Sequence, residues 1–214
     1  PFDMARPVEP MALQAVSAAI SPPIRFGGTV QPDRVAAIRD VAWRSWQIEA
    51  ATEAAHLESV DLMRLGRAAV AANPDGISVW GPGMEEAIAA GQLTRESMLP
   101  GGAGYRVMMD RYTPMLAATP AYVWLTTGGN SRAEQLAAGR DWLRLNLATT
   151  AAGLALHPIS QALQEFAAVA GPYREMHTLL APEGGRVQML GRLGYGSPVP
   201  PTPRWRAETR IRAV

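Results

Sequence analysis

Residues 120–161 constrain this chain more than any other stretch. After Pro120 comes AYVWLTT (121–127), an uncharged run rich in β-branched and aromatic side chains, and such a run reads as a buried strand. Gly128-Gly-Asn130 breaks it. Ser131-Arg-Ala-Glu134 then has the spacing of a capping box, in which the serine oxygen and the glutamate carboxylate satisfy the free amides of a helix start. The helix is predicted to run to about Ala152, roughly 30 Å at 1.5 Å per residue. Gly153 can supply a left-handed cap, and the extended HPISQ (157–161) follows.

The rest of the chain is consistent with that plan. PMALQAVSAAI (10–20) reads as a helix with Leu13, Val16 and Ile20 on one face, and IRFGGTV (24–30) as a short strand. From Gln31 to His56 the apolar positions Val35, Ile38, Val41, Ala42 and Ile48 keep a helical period. Ser59 to Ala72 is predicted helical, closed by Asn73-Pro-Asp-Gly76. Residues 74–119, with GPG, LPGGAG and one helix predicted over 84–91, read as a lid-like excursion from a single domain spanning 1–214. Helices are expected near 160–169 and 172–181, then a strand over 186–195 (RVQMLGRLGY). The tail, 196–214, is too rich in proline for a packed element and is expected to run extended.

Composition removes several chemistries. The 20 basic residues are all Arg, so Schiff-base chemistry and a Walker-type phosphate loop are excluded. There is no Cys, hence no disulfide, thiolate ligand or thiol nucleophile, which fits a reducing interior and a cytoplasmic protein. A net charge of +1 gives no electrostatic case for nucleic acid or an anionic membrane. Arg140, Asp141, Arg144 and Asn146 interrupt the longest apolar candidate for a membrane span.

The side chains offer little catalysis of their own. Glu53 and His56 are three apart on a helix, but without a second such pair or an HExxH they read as a solvated pair, and no metal is expected. His157, before Pro158, reads as a polar turn residue. The glycines at 81–83, 101–104 and 191–196 do not cradle a pyrophosphate, and those of 191–196 read as close backbone approach within a strand. Glu85 and Glu86 point about 100° apart on a helix and read as a solvated face. In the tail, Thr202-Pro-Arg204-Trp-Arg206 places two guanidiniums two residues apart, on the same side of an extended segment, where both can grip one anion. A phosphate is the natural guest.

The order of these pieces, PAYVWLTT, SRAEQLAAGRDWLRLNLATTAAGLAL, HPISQ, LGYGSPVPPTPR and a basic-x-basic tail, resembles the nitroreductase family, specifically its Acg-type fused-repeat branch. The resemblance covers most of the chain and is weak over 74–119. It implies an α+β fold with an antiparallel-rich central sheet flanked by helices and FMN at a dimer or pseudo-dimer interface. By the same resemblance Pro158, Ile159, Ser160 and Gln161 lie at the isoalloxazine near N5, Arg204 and Arg206 hold the flavin phosphate, and no side chain is catalytic. NAD(P)H is then the reductant, and a nitroaromatic, quinone or similar small molecule the electron acceptor. Two family segments are missing: the Arg-rich stretch before Pro1, and a Ser-x-x-Asn-x-Gln-Pro-Trp segment after the first helix, where Ser21-Pro-Pro-Ile-Arg runs on directly. The chain is therefore expected to be the C-terminal half of a tandem protein, or to need a second subunit to complete the flavin site. Flavin storage with little turnover, and a half-domain that only completes a partner's fold, are the alternatives.

Overall fold

The structure, a computed structural model, describes residues 1–211; the last three residues of the expected extended tail lie outside the described residues. The chain divides into two compact units, Pro1–Ile48 with Thr113–Ser197, and Glu49–Tyr112 with the tail from Pro198.

The first unit is built on a sheet of four described strands, β1 (Arg25–Thr29), β4 (Ala121–Thr127), β5 (Ala155–Pro158) and β6 (Arg186–Gly194). Their order is β1-β4-β6-β5, and every pairing is antiparallel. All seven residues of β4 are buried, because helices cover both faces of the sheet. On one face Ala121, Val123, Leu125 and Leu193 pack with Leu13 and Val16 of α1 (Pro10–Ser17) and with Ala138 and Leu145 of α7 (Arg132–Ala151). Complete burial of a side chain such as Leu145 contributes about 1.5–3 kcal/mol. On the other face Trp124 donates its Nε1–H to Leu180 O, 3.1 Å away in α8 (Ala170–Leu180), and Arg34 of α2 (Pro32–Ala51) lies over its ring. Gly27 of β1 faces Trp124 across the ladder, and a side chain there would strike the indole.

The capping box opens α7: Ser131 Oγ accepts from Glu134 N, and the Glu134 carboxylate accepts from Ser131 N and Gly129 N. Gly153 closes it with φ +69°. Asp141, fully buried in α7, accepts from Ser21 N at 2.9 Å and pairs with Arg144 at 3.0 Å, so its charge is compensated and the loop after α1 is tied to the helix.

The second unit departs from the sequence reading in three places. Thr52 is extended, which splits the long predicted helix into α2 and α3 (Glu53–Leu62). Met63–Leu65, expected to be helical, is strand β2, paired in parallel with β3 (Ile77–Val79), and α4 (Gly66–Ala72) follows it. The excursion is also more regular than expected. It carries α5 (Met84–Ala89), as predicted, and then α6 (Ala103–Ala117), a helix of 15 residues with Pro114 inside it. In the first unit, the helix expected near 160–169 is two short 3₁₀ turns, Gln161–Leu163 and Ala167–Val169. Among the described residues no helix is long and apolar enough to cross a membrane.

Candidate functional site

Among the described residues strand β5 is an edge strand held by β6 alone, with Ala155 opposite Gly194 and Pro158 opposite Gly191. Gly191 permits that approach, since a Cβ there would lie 2.7 Å from Leu156 Cδ1 and 2.8 Å from the Trp142 ring. The pairing continues one residue past the strand, where Ile159 N donates to Leu190 O at 3.0 Å. With its side chain only 2% exposed, Ile159 is the peg that fixes the turn to the sheet. Beyond it the backbone is released. The amides of Ser160 and Gln161 meet no acceptor among the described residues, while their carbonyls start the 3₁₀ turn by accepting from Leu163 and Gln164. The Gln161 side-chain oxygen is buried and has no hydrogen-bond partner among the described residues.

Next to this turn sits a pair the sequence reading missed. Arg192 of β6, 2% exposed, donates to Thr119 Oγ1 at 2.8 Å and Ala118 O at 3.2 Å, and its Nη1 is 3.3 Å from Nδ1 of His157. Burial, and then the Arg192 charge, push the His157 pKa from 6.5 down to about 4. His157 is thus a neutral imidazole locked to a strand rather than a loose turn residue. The signal was an arginine inside the apolar run MLGRLGY. A cavity of about 420 Å³, lined by Phe2, Asp3, Arg6 and Tyr195, adjoins the other end of β5, where Ala155 faces Gly194. It lies roughly 10 Å along the strand from the turn at 158–161.

The tail belongs to the second unit. Trp205 donates its Nε1–H to Asp75 Oδ2 at 2.8 Å, Arg64 holds the other carboxylate oxygen at 2.9 Å, and Arg210 stacks over the indole at 3.8 Å. The Trp205 bond and then Arg64 hold the Asp75 carboxyl below the usual carboxylate range. Arg204 and Arg206 flank this anchor and are exposed, and the Arg206 guanidinium makes a loose 3.6 Å contact with Glu208. The four residues 158–161 are contiguous in the first unit, and the two arginines are neighbours in the second. His56, in the second unit, is buried with Nε2 2.7 Å from Met98 O and is not a solvated partner of Glu53.

No protein-family model matches the sequence, and no curated protein matches it. Solved structures do. An FMN-dependent nitroreductase from Mycobacterium smegmatis, in complex with NADPH, superimposes with a TM-score of 0.57 at 16% identity, over 100% of this chain and 91% of that one. The chain has the nitroreductase fold. A second nitroreductase, from Bacteroides fragilis with bound FMN, matches with a TM-score of 0.53 at 13% identity over 100% and 91% of the two chains. One from Desulfitobacterium hafniense, also with bound FMN, gives 0.51 at 16% identity over 100% and 90%. The α+β architecture expected from the sequence, a central antiparallel sheet flanked by helices, is the one observed.

Proposed function

We propose that this chain belongs to the nitroreductase family, in its Acg-type branch, and works as an FMN-dependent oxidoreductase that uses NAD(P)H to reduce a nitroaromatic, quinone or similar electron-poor acceptor. The observation that carries the reading is the released turn at 158–161, on a fold shared with FMN-bound nitroreductases.

The residues present fit such a cofactor. An isoalloxazine needs donors for the acceptors along one edge, and the free amides of Ser160 and Gln161 are two such donors. Its phosphate needs a multi-donor cation, and exposed Arg204 and Arg206 provide two planar guanidiniums. Because the turn and the arginines belong to different units, each assignment is tested separately. A bound FMN supplies the hydride chemistry, and the protein supplies position and electrostatics. Pro158 fixes the direction of the chain into the turn, Ile159 pegs it to β6, and no side chain here moves a proton.

We further propose that the chain works as a homodimer or pseudo-dimer. Leu136, Leu143 and Leu147 are 61–63% exposed and share one face of α7, an apolar stripe suited to burial against a second surface.

The test is the visible spectrum of the purified full-length protein, followed by anaerobic titration with NADPH or NADH and reoxidation with a nitro compound. An oxidised-flavin spectrum that bleaches and returns supports the reading. A protein that takes up no added FMN overturns it.

A further inference from the structure

The turn after β5 holds one group that the proposed function leaves unused. The side-chain oxygen of Gln161 is buried and accepts no hydrogen bond among the described residues. A buried acceptor without a donor carries an uncompensated desolvation cost, and folded proteins keep few of them. The backbone around it is equally incomplete: the Ile159 amide is used by Leu190 O, whereas the Ser160 and Gln161 amides meet no acceptor among the described residues. The turn therefore offers two donors and then one acceptor, the acceptor being carried on the Gln161 carboxamide.

The edge of an isoalloxazine that runs from its central ring onto its pyrimidine ring has the complementary order, with N5 and O4 accepting and N3–H donating. We propose that Gln161 is a specificity-determining residue whose carboxamide oxygen accepts the flavin N3–H when the turn binds the ring. This rests on the FMN reading above. In the chain alone that oxygen is shielded, so binding turns the carboxamide outward, and the bond made there replaces one that the buried position lacks. The same residue then weakens the unliganded protein and strengthens the liganded one.

These opposite signs make the test. Gln161→Leu, apolar and of similar size, is expected to raise the melting temperature of the flavin-free protein by about 2–4 °C. The same substitution should weaken FMN binding about three- to tenfold. N3-methyl-FMN, which lacks the donor, should bind wild-type protein weaker than FMN by the same factor and bind Gln161→Leu as tightly as FMN does. Gln161→Glu keeps an acceptor and should keep the preference for FMN. Equal affinity of wild-type full-length protein for FMN and its N3-methyl analogue would falsify the role of Gln161, and that comparison needs no variant to fold. A lower melting temperature in Gln161→Leu also overturns it. Uptake of neither flavin removes the FMN reading itself, and this inference with it.

Discussion

Arg192 and His157 face each other across the β6–β5 ladder, with Nη1 3.3 Å from Nδ1. A guanidinium can only donate, so His157 Nδ1 accepts and the ring proton resides on Nε2. A buried cation thereby fixes the tautomer of the residue that leads into the 158–161 turn.

The pair sets a pH window. His157 is protonated near pH 6.5 in an unfolded chain and near pH 4 in the folded one, so the unfolded state binds more protons between those values. Its contribution is intact above pH 6.5 and is lost as pH falls toward 4, by up to roughly 3 kcal/mol. Urea denaturation midpoints of wild type and His157→Gln, measured from pH 7 to 4, are expected to converge as the pH drops. Parallel curves would reject the depressed titration.

Gly27→Ala tests the fit of β1 to β4. The added Cβ would overlap Trp124 Cε2 and Nε1, so the indole must shift from its bond to Leu180 O. A cost of about 1–3 kcal/mol is expected, together with altered near-ultraviolet circular dichroism. Wild-type stability in the variant would mean that the indole has room to move.

Ser131→Ala removes the acceptor that holds Glu134 N at 3.3 Å. Thermal melts should show a loss of about 1 kcal/mol. Glu134 depends on the same serine, whose hydroxyl is the main cause of its lowered pKa, so after Ser131→Ala the Glu134 carboxyl should titrate at higher pH by NMR.

The tail separates anchoring from anion binding. Trp205→Phe loses the N–H that Asp75 accepts and should speed tryptic cleavage after Arg204 and Arg206 while leaving the fold intact. Arg204→Ala and Arg206→Ala should each weaken FMN retention roughly tenfold without speeding tryptic cleavage at the arginine that remains. Unchanged retention in both would remove the phosphate assignment.

What the sequence reveals depends on how local its causes are. AYVWLTT, the Ser131–Glu134 box and the Gly153 cap are legible because each rests on residues within a few positions of one another. Met63–Leu65 is not. Its side chains suit a helix, and only pairing with Ile77–Val79 makes it a strand. Residues 103–117 were obscured by Gly101, Gly102, Gly104 and Pro114, all of which argue against a helix locally. QALQEFAAV has a helical composition, yet the bond from Ile159 N to Leu190 O keeps the chain extended up to the turn. At the candidate site, the HPISQ segment could be noticed, whereas the partnership of His157 with Arg192 needs the register of β5 on β6.

The strand order also determines when this sheet can form. β1 pairs with β4, whose residues lie about a hundred positions later, and both β4 and β5 depend on β6, the latest in sequence of the described strands. Until Arg186–Gly194 emerges from the ribosome, β5 has no partner strand and β4 has an open edge of apolar residues. Assembly is therefore dominated by distant pairings, which slows it and exposes sticky intermediates. Chains truncated before Arg186 would be substrates for chaperones and proteases rather than smaller folded proteins.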